Sequence, residues 1–252
     1  MRTSAKTLRH YARVSGSPGT RVRILGLFRS LWPMALVMIA LGYLLRAALP
    51  RPDLSLTATG LLFLALAVAV AGAANFSRDR LQNYIKGARG EESVARALAL
   101  LPAQWHVFHG IACPGEIREG GGADLDHVAI GPDAIFVIET KNWSGTLTAE
   151  HNTLLCDGVA PDRDPVEQVK TAATALRRQL PVPDTIQGGG LPVIPVLCFA
   201  GGSILNGITG LSGVIICTED HLCAILQRHQ DTHLSGEQRE AVIRLLTAAA
   251  EH

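Results

Sequence analysis

The 252-residue chain lacks a large excess of charge of either sign. It has 23 lysines and arginines against 22 aspartates and glutamates, which gives a net charge of +1. That balance excludes a protein coated with basic residues for tight nucleic-acid binding, so any such contact has to be local. The chain also has no G-x-S-x-G motif and no P-loop, which argues against a serine hydrolase and an intrinsic ATPase.

Paired cysteines are also absent. The five cysteines are scattered, form no C-x-x-C pair and have no zinc-site spacing with histidine. An odd, unpaired set of this kind is typical of a reducing compartment, where cysteine serves as a small apolar core residue.

Charged residues are missing from two long stretches near the N-terminus. Residues 31–45 contain none, and neither do residues 54–74. A run of about 20 apolar residues is the length that crosses a bilayer core. A buried soluble hairpin would show polar faces, and a cleaved signal peptide would have a shorter run nearer the start. The pattern therefore predicts a transmembrane helical hairpin over 31–74, turning at Pro50–Asp53.

Basic residues flank both ends of this predicted hairpin. Residues 1–30 contain seven lysines and arginines and no acid, and more basic residues follow Ala74. Basic flanks stay on the cytoplasmic side of a membrane. We therefore expect a multi-pass protein with two helices in the lipid bilayer, a basic cytoplasmic tail over 1–30, a linker over 75–85 and a cytoplasmic domain over 86–252.

The sequence after residue 85 alternates between helical and strand patterns. A helix is predicted over Lys86–Leu101, and its spacing points Glu91 toward the core. Asp164-Pro165 predicts a helix start, and Ser235 to Gln238 forms a capping box. Strand patterns lie between these helices, so the predicted class is α/β, a mixed sheet flanked by helices.

Two of these strands, Ala123–Ile130 and Ala134–Lys141, meet at a Gly-Pro-Asp turn that predicts a hairpin. A turn symmetric about its Pro-Asp pair places Asp126 opposite Glu139, whereas an odd-length turn would break this register. Opposed carboxylates repel each other unless something compensates for them. The compensating group is either a divalent cation such as Mg²⁺ or Mn²⁺ or the nearby Lys141, and the residues alone leave both open. His127 points away from Asp126, which favours packing or hydrogen bonding over a ligand role.

Four motifs in this order resemble the nuclease-related domain, NERD, which is similar to the PD-(D/E)XK nuclease superfamily. They are G-A-R-G-E at 87–91, D-H-V-A-I-G-P at 126–132, F-V-I-E-T-K-N-W-S-G at 136–145 and D-P-V-E-Q at 164–168. The resemblance implies a restriction-endonuclease-like fold and metal-dependent hydrolysis of nucleic-acid phosphodiesters, with DNA a more natural substrate than RNA. The alternative is a catalytically weak nucleic-acid-binding or scaffold module of the same fold.

The resemblance also implies roles for single residues. Asp126 and Glu139 would bind Mg²⁺ or Mn²⁺, with Glu91 supporting the metal from the first helix. Lys141 would orient or activate the attacking water, and Gln168 would contact the substrate or support the site. Asp124 lies outside the family core and is expected to be a bystander or helper.

Overall fold

The computed structural model describes residues 11–48, 55–113, 124–180, 191–205, 207–229 and 233–250. The chain divides into two compact units. One spans residues 20–88, and the other combines residues 1–19 with residues 89–252.

The first unit is built from two long helices, α1 (Thr20–Ala48) and α2 (Leu56–Leu98), the second of which continues into the other unit. Within the described residues, neither these helices nor any other combines the length and apolar character needed to cross a membrane. The prediction of a transmembrane hairpin over 31–74 is therefore wrong, and so is the predicted multi-pass membrane localisation. The predicted lipid partner loses its support. The predicted turn at Pro50–Asp53 lies outside the described residues.

In the structure, each apolar stretch is part of a longer helix and does not form a helix of its own. α1 begins at Thr20, so it takes in part of the basic segment that precedes Leu31. α2 runs for 43 residues and continues past Ala74 through the predicted linker 75–85 into a charged second half. Each uncharged run is long enough to predict a helix of its own, whereas the structure merges each run with charged neighbours.

The second unit contains a seven-stranded mixed sheet with helices on its faces, as the sequence predicts. The sheet strands are β1 (Arg13–Gly16), β2 (His106–Ala112), β3 (Asp124–Ile130), β4 (Ile135–Lys141), β7 (Val193–Phe199), β9 (Gly210–Leu211) and β10 (Val214–Thr218). Their order is β1-β2-β3-β4-β7-β10-β9. The pairs β1–β2, β4–β7 and β7–β10 are parallel, and the other three are antiparallel. A second sheet joins β6 (Thr153–Cys156), β5 (Thr146–Glu150) and β8 (Ser203–Ile204).

The hairpin between β3 and β4 has the register that the sequence predicts. Ile130 pairs with Ile135, and His127 pairs with Ile138. The Gly131 amide donates to the Ala134 carbonyl at 2.9 Å, which closes a turn with Pro132 and Asp133 at its centre. Because side chains alternate along a strand, this even register fixes which residues of the two strands share a face.

Helices cover both faces of the large sheet. On one face, α3 (Pro165–Gln179) and α5 (Gly236–Ala250) bury Val169, Leu176, Val242 and Leu246 against the sheet. On the other face, the end of α2 and α4 (Glu219–Arg228) bury Val94, Leu98, Leu222 and Leu226.

Local signals set the starts of two of these helices. The Asp164 carboxylate accepts a hydrogen bond from the Val166 amide at 2.9 Å, with proline in the first turn, so α3 begins where the Asp-Pro pair predicts. Ser235 and Gln238 exchange side-chain to backbone hydrogen bonds at the start of α5, which confirms the capping box.

Candidate functional site

The hairpin brings Asp126 and Glu139 to the same face of the sheet. Both residues lie one step beyond the last paired residues, His127 and Ile138, at the open end of the hairpin. In place of a ladder hydrogen bond, the Thr140 amide donates to the Asp126 carboxylate at 2.8 Å. The strand ends therefore hold the two acids next to each other, in the arrangement that the predicted register required.

Lys141 and Gln168 complete a closed set of contacts around Glu139. The Lys141 ammonium donates to Glu139 Oε1 at 2.7 Å and to Gln168 Oε1 at 2.9 Å. The Gln168 amide donates to the same Glu139 oxygen at 2.6 Å. Glu139 is buried, Lys141 is half-buried and Gln168 is exposed, so the set opens to solvent on the side of α3. Four of the five predicted site residues thus meet at one place.

Glu91 reaches the site from α2. It lies well inside this helix rather than at its start, because α2 begins at Leu56. Its side chain is buried, and its Oε2 atom accepts a hydrogen bond from the Gly19 amide at 2.9 Å. The preceding Gly90 lets α2 pass close to the residue that follows β4. A Cβ atom at Gly90 would lie 2.7 Å from the Cβ atom of Asn142.

Burial and nearby negative charge raise the pKa of two acids of the site, Glu91 and Asp126. Burial is the main cause that raises the pKa of Glu91 to about 7, and Glu139 and Asp124 add to it. The Gly19 hydrogen bond and Lys141 oppose the shift. Burial also raises the pKa of Asp126 well above its usual range, with Glu139 and then Glu91 contributing, while the Thr140 amide and Lys141 act against it. The three carboxylates therefore share one electrostatic environment, although Asp126 and Glu139 come from strands and Glu91 from a helix.

The predicted metal ligands Asp126, Glu139 and Glu91 are not drawn together into a three-residue metal cage. Among the described residues, no group of three histidine, cysteine, aspartate or glutamate side chains is placed to hold an ion. Each carboxylate uses one oxygen in a hydrogen bond to the protein and keeps its second oxygen outside that bond. Because Mg²⁺ commonly takes one or two carboxylates and completes its shell with water and phosphate, the opposed pair Asp126 and Glu139 suits such an ion chemically.

Two features next to the site are not predicted from the sequence. The first is the Gly19 amide on Glu91, since nothing in residues 11–19 indicates a contact 72 positions along the chain. The second is a buried pair of histidines on β2 and β3, whose Nδ1 atoms lie 2.7 Å apart between His109 and His127. Burial lowers the pKa of His109 to about 4. His127 is hydrogen-bonded through this contact with His109. Its side chain lies on the opposite face of β3 from Asp126, as the alternation of side chains along a strand predicts.

The comparison with known families adds a finding to this geometry. Residues 86–200 match the family model of the nuclease-related domain. That range contains all five predicted site residues, and it suggests a nuclease-related function. It does not include β1 or the Gly19 amide, although the structure joins both to the same unit.

Two individual proteins are similar to parts of the chain. An uncharacterized protein of Bacillus anthracis is 38% identical over 61 residues, which are 24% of this chain and 28% of that protein. The crystal structure of protein VC1899 from Vibrio cholerae aligns with 92% of this chain and 56% of its own, at 14% identity and a TM-score of 0.31. This chain thus spans less than two thirds of the length of either relative.

Proposed function

We propose that this protein hydrolyses phosphodiester bonds in nucleic acid with the help of Mg²⁺ or Mn²⁺. The observation that carries the proposal is the contact set of Lys141, Glu139 and Gln168 beside Asp126, inside the range that matches the nuclease-related domain. Balanced overall charge gives no long-range attraction to nucleic acid, so the proposal rests on this local chemistry.

The two strand carboxylates are the groups that would hold the ion. Asp126 and Glu139 present hard oxygens on one face of the sheet, and Glu91 supports them from α2. When bound, a divalent ion lowers the pKa of a coordinated water and stabilises charge on the phosphate oxygens. It would also relieve the repulsion that, together with the larger effect of burial, raises the pKa of Asp126 and of Glu91.

Lys141 is the residue we assign to the attacking water. An ammonium group has three N–H donors, and two of them are directed at Glu139 and Gln168. The third can hold a water or a phosphate oxygen, and the half-buried position of Lys141 gives it access to solvent. Gln168 fixes the rotamer of Lys141 by accepting from it and fixes Glu139 by donating to it.

A binding or scaffold module with little catalytic activity is the second candidate. The observation that favours it is that the described residues contain no three-ligand cluster for a metal. In that case Lys141 only neutralises the two strand acids. Its removal then destabilises the fold, because a buried charge loses its partner, and Lys141 has no role in cleavage.

The experiment is a cleavage assay on the full chain with single- and double-stranded DNA and RNA, with Mg²⁺, Mn²⁺ or EDTA. We expect metal-dependent cleavage of at least one substrate and its loss in Asp126→Asn. Asp162→Asn makes the same change at an exposed aspartate and should retain the parent rate. No cleavage of any substrate by folded parent protein, together with binding of nucleic acid, would favour the second candidate.

A further inference from the structure

The segment Tyr11–Gly19, which we call the N-terminal strap, lies outside the range that matches the nuclease-related domain. Its central part is β1, the edge strand of the large sheet, in parallel register with β2 from Arg13 opposite His106 to Gly16 opposite His109. Two further backbone bonds attach it, from the Ala12 amide to Leu101 and from the Arg13 amide to Trp105. The strap is thus hydrogen-bonded into the unit that carries the candidate site.

The register leads the strap to the site. One row of paired residues crosses the sheet from Gly16 through His109, His127 and Ile138. The next row contains Asp126 and Glu139. The chain therefore leaves β1 at the same end of the strands at which the two acids lie. Three residues later, Gly19 donates its amide to the Glu91 carboxylate at 2.9 Å.

The exposure of the strap residues indicates how the strap is attached to the unit. Its residues are exposed or half-buried except for Gly19, which is buried. Apolar packing therefore contributes little to its attachment, which depends on backbone hydrogen bonds and on close fit. The fit is tightest at Gly16, where φ is +86° and an added Cβ atom would collide with the His109 carbonyl oxygen. Only glycine is compatible with both conditions at this position.

We infer that the N-terminal strap is a working part of the candidate site, in which the Gly19 amide is a positioning group that fixes the carboxylate of Glu91. The inference rests on the proposed function for its consequence in catalysis, but the contact itself is independent of that function. A backbone donor is a rigid partner, because it can be removed only by moving the chain. With the strap in place, the Oε2 atom of Glu91 is held by the Gly19 amide.

The test combines hydrogen exchange and kinetics on the full chain. In the parent, we expect the amides of Arg13 and Gly19 to be protected. Glu91→Ala removes the acceptor, so exchange at Gly19 should rise at least tenfold while Arg13 stays protected. Gly16→Ala forces β1 off the His109 carbonyl, so exchange should rise at least tenfold at both positions. In the cleavage assay, Gly16→Ala should lower kcat at least tenfold with KM within twofold of the parent.

The matched control is Gly213→Ala. Gly213 has a similar φ of +81°, but no atom lies within 4 Å of the position of an added Cβ. Gly213→Ala therefore reproduces the backbone strain without the collision. Its kcat and the exchange of its Arg13 and Gly19 amides should match those of the parent within twofold.

Three results would overturn the inference. Protection of Gly19 that persists in Glu91→Ala would show that the two groups are not bonded. Protection of Arg13 and Gly19 that persists in Gly16→Ala would show that the strap does not fit as closely as described. Parental kcat in a Gly16→Ala protein whose strap exchanges freely would reject the positioning role. If the parent cleaves no substrate, the proposed function fails, and the exchange data still decide whether the strap holds Glu91.

Discussion

Replacing Glu91 with glutamine should change how stability depends on pH. The pKa of Glu91 rises from an ordinary 4.5 to about 7 in the folded protein, chiefly through burial. A carboxyl group with a raised folded pKa binds its proton more tightly in the folded state. Its contribution to stability is therefore fully present below pH 4.5 and is lost as pH rises through 7.

The size of this effect follows from the two pKa values. Each pKa unit corresponds to about 1.4 kcal/mol, so ionising Glu91 costs the folded state about 3 kcal/mol above pH 7. Glutamine resembles the protonated acid, and its carbonyl oxygen can still accept from the Gly19 amide. Glu91→Gln should therefore come closest to the parent in stability near pH 4.5 and exceed it at pH 8 by an amount of this order.

The assay is chemical unfolding of the full chain in EDTA at several pH values between 4.5 and 8.5. The same change at the exposed Glu150 of β5 controls for the loss of one negative charge. Parallel stability curves for the parent and Glu91→Gln across this range would refute the reasoning, because they would show that the folded protein does not penalise ionisation of Glu91.

Two further predictions concern the metal and the helix that carries Gln168. Mg²⁺ or Mn²⁺ should raise the melting temperature of the parent more at pH 8 than at pH 5.5, because protons compete for acids with a raised pKa. Asp126→Asn should abolish this effect, and equal melting curves with and without metal would contradict it. Asp164→Ala removes the cap of α3 and should cost about 1 kcal/mol in unfolding experiments. It should also slow cleavage by loosening Gln168, and an unchanged unfolding free energy would contradict the role of the cap.

Much of the site could be predicted because its geometry is local. The β3–β4 hairpin closes through a tight turn between Gly131 and Ala134, so counting outward from the turn places Asp126 beside Glu139. The start of α3 is equally local, because Asp164 caps the amides that follow it, and this places Gln168 one turn later. In both cases a few neighbouring residues determine the backbone path.

The features of the fold and site that the sequence did not predict depend mostly on contacts between distant segments of the chain. β1 pairs with β2 through backbone groups, some ninety positions along the chain, and its exposed residues give no hydrophobic alternation to detect. The pairing of His109 with His127 depends on the register of β2 against β3, which no short turn fixes. The helices of the first unit misled for another reason, since an uncharged run does not reveal where its helix begins or ends.

The central claim is that Lys141 acts on the reacting water while the strand acids hold the metal. The most direct test is the single-turnover cleavage rate of the full chain and of Lys141→Ala, measured with saturating Mn²⁺ after metal binding has been titrated in both. Lys170→Ala, which removes a lysine from a surface pair with Glu167, is the control. We expect Lys141→Ala to lose at least a hundredfold in rate and still to bind Mn²⁺ within tenfold of the parent affinity, since both acids remain. A Lys141→Ala protein that binds Mn²⁺ and cleaves at the parent rate would contradict the account.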